Sequence, residues 1–598
     1  MNYIKEKNIL DLKENFRIPI YQRQYAWGKD EVEQLLIDLK QFQKSKKQEY
    51  FLGNIVITQN GDFLDVIDGQ QRLTTLYLLL KYLNKNPFNL AYEIREKEKE
   101  FLKKFNFINK ENPPLTFKES IDTIKNLAPQ ENILDNVVIT LTTIPKEIDV
   151  VKYFEIMNNR GEQLQKHQII KAKFLEVLKD DQEYNYAKIW DYCSQMNIVI
   201  DNIIYYNDIE NTKKSENKIE DIRNNLLNYN YQNYFKYEEK SEAGWKSIND
   251  LLQEENSQKE IYAPKEYISI IKFPIFLIHT LKTFLASKKR NFTHIITNDR
   301  YLIEYFSKEN NLIFDKEEAK EFLLHMLKLR ILFDYFIIKR DENGNPLIIK
   351  RDDNSNPLQL IREKELIMIE LLFNFTSPQY FAQDWISVVL AYLDKNHTIT
   401  IEELEKFDRE LAKIRLSKKG IIEFINEKIE NIYQNKNSSI IPSKKLEEIL
   451  NQGTSTPHYW FYKLDYLLWK NYNHNKVIWK NVQLLKDANI NTFRLTRLNS
   501  IEHIQPQHPE QNCNHWNNKE CSIDNFGNLA LISNHMNSTL SNQCFKYKIE
   551  DIKKQLKKDT IESLKMVLIY SKYKEWNEKN CKEHYEQMAK LLHEDLKD

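Results

Sequence analysis

The sequence predicts a helix-rich, multidomain α+β protein. Three observations carry that expectation. The chain has 598 residues, which at roughly 100–200 residues per domain is enough for several separate cores. Glycine is scarce, at 10 residues, while charged residues make up 29%, a balance that favours helix over an all-β fold. Hydrophobic periodicity then changes along the chain. It divides the chain into a mixed α/β domain over 1–200, a helical connecting domain over 201–440 and a further domain over 441–598.

From the N-terminus, Asp30 to Phe42 sets Val32, Leu35, Leu36 and Leu39 at helical spacing. Phe51 to Thr58 (FLGNIVIT) predicts a strand, Asn60-Gly61 a tight turn, and Phe63 to Ile67 the returning strand of a hairpin. Gly69 ends that strand and Gln70 to Leu83 reads as a helix, so Asp68 to Arg72 sits at a strand-to-helix junction. Another helix is expected from His167 to Leu178. The middle is a series of amphipathic runs and holds a tandem duplication, IIKRDENGNPL (Ile337–Leu347) followed by IIKRDDNSNPL (Ile348–Leu358). Two copies do not make a solenoid. They read as surface turns, with a basic loop offering Lys339, Arg340, Lys350 and Arg351 to DNA as the alternative. Asn, Ser, Gly and Pro accumulate between Asn435 and Pro457, which marks a boundary. Eight of the 13 histidines lie beyond it. There Ser500 to Gln507 (SIEHIQPQ), a returning strand at Leu529 to Ile532 and a helix from Asn537 to Lys554 give strand, loop, strand, helix.

The 87 basic and 87 acidic residues cancel, so net charge gives no support for nucleic acid, although a neutral total can hide a basic groove. Five cysteines in a chain of this length do not form a disulfide framework, and a reducing cytoplasm is expected. MNYIKEKNIL lacks the apolar run of a signal peptide. The strongest apolar segment, Ile268 to Leu281, is interrupted by Lys272 and Pro274 and is too broken to span a bilayer. No membrane partner is expected, and oligomerisation is left open.

Two regions carry candidate chemistry. In the first, VIDGQQRLTT (Val66–Thr75) turns aligned backbone N–H groups and a helix dipole toward whatever lies at the junction, an arrangement that binds phosphate. Gly69 permits close approach of the backbone, Arg72 can clamp a phosphate with both arms, and Asp68 can hold a metal or position water. There is no GxxxxGK[ST], so this is not a P-loop. Taken alone, DGQQR reads rather as a capped helix start, with Asp68 the cap and Arg72 a surface charge. IPIYQRQYAW (Ile18–Trp27) and YFEIMNNRGEQLQKHQIIKAK (Tyr153–Lys173) accompany it. Aromatic and amide groups suit the reading of a base or a modified backbone, while Tyr21, Tyr25 and Trp27 equally suit packing.

In the second region, phosphodiester hydrolysis needs a base to activate water and a divalent metal to offset developing charge. Glu502 and His503 supply those residue types. On a regular strand adjacent side chains face opposite ways, so only a kinked strand end lets both serve one site. His535 competes with His503 for the catalytic role. Cys513, His515 and Cys521 are zinc-ligating residue types, but CxxC spacing and a fourth ligand are missing.

The C-terminal pattern, EHIxPQ, then FGNLxL, then an Asn-rich helix start, resembles the HNH nuclease superfamily in the branch whose third motif residue is Asn. That resemblance implies a ββα-metal core around one Mg²⁺, with Mn²⁺ as the alternative ion. His503 is then the general base, Glu502 the acidic metal ligand, Asn528 the residue orienting the base-bearing loop and Asn537 the second metal ligand. Lys546 is implied as a phosphate contact. The three N-terminal stretches together resemble the N-terminal domain of GmrSD-type, type IV, modification-dependent restriction systems, a ParB/sulfiredoxin-like domain in which DGQQR takes part in nucleotide binding and hydrolysis. By that resemblance Asp68, Gly69, Gln70, Gln71 and Arg72 belong to the nucleotide site, with Asp68 and Arg72 in catalytic roles. Gln22, Arg23, Tyr25 and Trp27 belong to a DNA- or nucleotide-sensing pocket, and Asn158, Asn159, Arg160 and Gly161 close the cleft. The arrangement is also similar to that of SspE-type phosphorothioate-sensing antiphage nucleases. It implies a Mg-dependent DNA endonuclease with NTPase activity acting on double-stranded, modified or phage DNA. An NTP-gated DNA-binding regulator with an inactive nuclease, or a suicide nuclease acting on host nucleic acid, are the competing readings.

Overall fold

The structure, a computed structural model, describes residues 4–45, 48–93, 95–105, 113–127, 129–130, 132–145, 166–178, 183–208, 216–227, 266–306, 315–348, 357–436, 440–474, 477–479, 490–510, 513, 515–557 and 560–597. It is helix-rich α+β and divides into two compact units. The first comprises Met1–Tyr267, Lys272–Leu277 and Asn298–Ile331. The second comprises Ile268–Ile271, Ile278–Thr297 and Leu332–Asp598. The helical segment expected over 201–440 does not stand as a body of its own, because its chain is shared between the two.

The first unit is built on a mixed six-stranded sheet of order β1-β6-β3-β4-β2-β5. Its strands are β1 (Ile4–Asn8), β2 (Asn15–Ile18), β3 (Tyr50–Asn60), β4 (Phe63–Asp68), β5 (Asn89–Tyr92) and β6 (Val137–Ile144). The expected hairpin is β3–β4, closed by Gly61 at φ +62°. Along β3, Ile55, Val56 and Ile57 are all buried, which requires cover on both faces of the sheet. Ile55 and Ile57 join the main core, while Val56 packs with Ile67 and Ile144 on the other side. The helix Gln70–Tyr82 follows β4 directly. It is buried nearly all round, through Leu73, Leu76, Leu79 and Leu80 among others, as a helix without a polar face must be.

In the second unit, Lys339–Arg340 (β8) of the first duplicated copy pairs with Ile268–Ser269 (β7) and Pro346–Leu347 (β9). Asp341 closes the intervening turn by accepting from the backbone N–H of Asn343 and Asn345. Lys339 is buried in an ion pair with Asp334 at 2.9 Å and is not offered to DNA; Lys350 and Arg351 lie outside the described residues. The C-terminal part packs on the buried helix His458–Asn473. Its hairpin is β10 (Ser500–His503) and β11 (Leu529–Ile532), with Glu502 opposite Ala530 and His503 opposite Leu529. The helix expected from Asn537 to Lys554 is two helices, Asn534–Leu540 and Phe545–Lys557. The chain breaks at Ser541, whose φ of +44° no continuing helix can hold. Among the described residues no helix is long and apolar enough to cross a membrane.

Candidate active site

In the first unit the two N-terminal motifs interlock. Gln22 is buried and donates from its side chain to the carbonyl of Ile67 at 2.6 Å. In return, Gln70 donates to the carbonyl of Arg23 at 3.0 Å. Gln71 donates to that of Gln24 at 3.2 Å and accepts from the backbone N–H of Ala26 and Trp27. Glutamine carries both donors and an acceptor, so a pair of them can satisfy a loop that has no sheet partner. The buried Gln70 Oε1 has no partner among the described residues. Gly69 stands at the helix start with φ +91°, and a Cβ there would lie 2.4 Å from Ile55 Cδ1. Asp68 is exposed at the end of β4. Arg72 is partly buried, and its guanidinium reaches the carbonyl of Leu52 at 3.4 Å across Gly53.

Tyr25 is buried, bonded to Thr75 Oγ1 at 2.7 Å and Ser120 Oγ at 3.0 Å. Trp27 packs partly buried against the same core. A buried charge network holds the loop from beneath. Arg95 donates to the carbonyl of Gln22 at 2.7 Å and to Asp191 at 2.8 Å, and Lys171 donates to the other oxygen of Asp191 at 2.8 Å. Burial pushes Lys171 down to about 8 against the pull of Asp191. Arg95, Lys171 and Asp191 were not singled out from the sequence; Lys171 and Asp191 are charges within the helices Lys166–Leu178 and Glu183–Ser194, and Arg95, at φ +77°, precedes the helix Glu96–Lys104. Asn158, Asn159, Arg160 and Gly161 lie outside the described residues.

In the second unit, His503 ends β10 and is partly exposed. Its Nε2 donates to Asp524 Oδ1 at 2.8 Å, and Gln507 donates to the same oxygen at 2.9 Å. Burial lowers the imidazole pKa, and the Asp524 hydrogen bond pulls it partly back; that same bond holds the Asp524 carboxyl below its usual range. Asn528 fixes both partners. Its side chain donates to the carbonyls of Gln505 and Ile523 and accepts from the backbone N–H of Gln505 and the indole of Trp576, each at 2.8–3.0 Å. One fully buried amide thus ties the segment after His503 to the segment before Asp524.

Glu502 faces the other way, as strand alternation requires. It is buried and paired with Lys548 at 2.5 Å, and Lys548 also donates to the carbonyl of His503. Burial pushes Glu502 up and Lys548 down. The carboxylate the structure brings to His503 is therefore Asp524, not Glu502. Asn537 donates to Ser500 Oγ at 2.8 Å, three residues up the strand from His503, or about 10 Å at 3.3 Å per residue. Lys546 and His535 are exposed. Asp524 was missed because it sits in a loop, and its signal is only an acidic residue four positions before Asn528.

The cysteines bear on the candidate zinc set. Cys513 and Cys544 form a disulfide, Cα–Cα 5.4 Å. Cys513 is thereby removed from any zinc set with His515 and Cys521, and no group of three metal-ligating side chains is found among the described residues.

A partly exposed imidazole oriented by a carboxylate has the chemistry to accept a proton from water. Residues 6–175 match the GmrSD restriction endonuclease N-terminal domain, and residues 441–591 match the GmrSD restriction endonucleases C-terminal domain. The chain belongs to the GmrSD-type restriction endonuclease family and is a DNA endonuclease. No curated protein matches it.

Proposed function

We propose that this chain is a modification-dependent antiphage endonuclease. Its N-terminal domain binds and hydrolyses a nucleoside triphosphate and senses modified DNA, and its C-terminal domain cleaves DNA through an HNH-type site centred on His503. The observation that carries this reading is the His503–Asp524 pair inside a segment matched to restriction endonucleases.

With Nε2–H donated to Asp524, the lone pair of His503 is on Nδ1, which has no partner among the described residues. Nδ1 takes the proton of the attacking water, and Asp524 stabilises the imidazolium that forms. Asp524 and Gln507, which meet at Asp524 Oδ1 beside His503 Nε2, carry oxygen donors of the hard kind that would hold Mg²⁺ or Mn²⁺. A bound ion would neutralise charge on the phosphate. Glu502 and Lys548 shape the strand from behind.

In the N-terminal domain, the positive-φ Gly69, the helix start it caps and Arg72 suit the phosphates of a nucleoside triphosphate. Hydrolysis of the triphosphate would supply the switching energy, while Arg72 orients phosphate and Asp68 positions water. The loop bearing Gln22 and Arg23 is held by Gln70 and Gln71, so a ligand at the helix start acts on the sensing loop directly.

Plasmid nicking with Mg²⁺, wild type against His503→Ala, on unmodified and phage-modified DNA with and without triphosphates, tests the reading. Breaks made by wild type alone, preferring modified DNA, support it. DNA binding without breaks on any substrate replaces it with a gated DNA-binding regulator.

A further inference from the structure

Cys521 and Cys581 are both buried, and their sulfurs lie 2.9 Å apart, about 0.9 Å beyond the length of a disulfide bond. They are 60 residues apart in sequence. The loop that carries Cys521 is already fastened at this point. Backbone N–H groups of Asn517, Asn518 and Glu520 donate to the Glu578 carboxylate at 2.6, 2.8 and 2.7 Å, and that of Cys521 donates at 3.4 Å. Glu578 and Cys581 share the first turn of the helix Glu578–Lys597. Asp524, the partner of His503, follows Cys521 by three residues on the same loop.

We propose that Cys521 and Cys581 are a redox modification site, converted by hydrogen peroxide into a second disulfide that staples the Asp524 loop to the C-terminal helix. The Cys521 thiolate attacks one peroxide oxygen, the O–O bond breaks, and hydroxide leaves. The Cys581 thiol gives up its proton and its sulfur displaces hydroxide from the sulfenic acid. Two thiols and one hydrogen peroxide become one disulfide and two waters. The contact between the sulfurs pushes the Cys521 thiol down and the Cys581 thiol up. The inference does not depend on the proposed nucleotide or DNA chemistry.

Thiol counting on the full chain tests it. With Cys513 and Cys544 bonded, three of five cysteines are free: Cys193, Cys521 and Cys581. Denatured, unreduced wild type alkylated with a maleimide should show three thiols before peroxide and one after, with a Cys521–Cys581 linked peptide on digestion. Peroxide should also raise Tm by several degrees, and Cys581→Ser should abolish that gain. Three thiols after peroxide, a different linked pair, or zinc that copurifies with these thiols would overturn the proposal. The peptide map needs no variant, so a poorly folding Cys581→Ser leaves it decidable.

Discussion

His503 Nε2 lies 2.8 Å from Asp524 Oδ1, joining the end of a strand to a loop 21 residues further on. The carboxylate fixes the tautomer and leaves Nδ1 basic. His503→Ala should cut plasmid nicking by about 10³-fold or more, and Asp524→Asn by about 10²–10⁴-fold, because the amide favours the wrong tautomer. Both should keep the wild-type Tm within a few degrees, since Asp524 is half-exposed and His503 keeps its β11 pairing. Nicking by Asp524→Asn at the wild-type rate would remove Asp524 from the site.

Glu502 and Lys548 bury opposite charges on the far face of β10. Removing one partner of a buried pair leaves an uncompensated charge, at a cost of about 3–5 kcal/mol. Glu502→Ala should therefore lower Tm markedly, and Glu502→Gln should lower it less. Nicking per folded molecule should fall far less in Glu502→Gln than in Asp524→Asn. A Glu502→Gln protein with normal Tm and no cleavage would instead put Glu502 in the chemistry.

Gly53 and Arg72 form a second dependent pair. Gly53 has φ +123°, and a Cβ there would stand 2.2 Å from Arg72 Nη1. Gly53→Ala should displace the guanidinium and weaken triphosphate binding about as much as Arg72→Ala, at least 10-fold. The double variant should bind no worse than Arg72→Ala, because both changes remove one interaction. Titration of all three variants with labelled triphosphates measures this. Additive losses would separate Gly53 from Arg72. If Arg72→Ala cleaves with unchanged rate and selectivity, the two activities are uncoupled.

Local pattern made most of this legible. The β3–β4 hairpin, the helix after Gly69 and the β10–β11 order follow from alternation, an Asn-Gly turn and helical spacing, all of which act over a few residues. What resisted reading depends on distant partners. Alternation turns Glu502 away from His503, but the partner that makes its burial tolerable, Lys548, is 46 residues away. Asp524 is held near His503 by tertiary bonds such as those of Asn528 to both Gln505 and Ile523. The split of the Asn537–Lys554 helix needs a positive φ at Ser541, three residues before the disulfide-bonded Cys544, and no local signal announces it.

His279 gives the second unit an acid-sensitive interior. It is fully buried on the helix Phe273–Ser287. Its Nε2 lies 2.9 Å from the carbonyl of Ala382 and must donate, so Nδ1 accepts from Ser387. Burial, with Lys282 nearby, drives its pKa to about 3 from an ordinary 6.5. The folded state therefore refuses a proton that the unfolded chain accepts below pH 6.5. The neutral histidine's stabilisation is complete above pH 6.5 and declines as pH falls toward 3. The slope for one such group is about 1.4 kcal/mol per pH unit. His167, pushed to about 4 by burial, adds to the same limb in the first unit. His279→Gln keeps a donor for Ala382 but cannot titrate. It should be less stable than wild type at pH 7.5 yet lose less Tm between pH 6.5 and 4.5, as followed by calorimetry. Parallel Tm profiles for the two proteins would show that His279 binds its proton equally in both states.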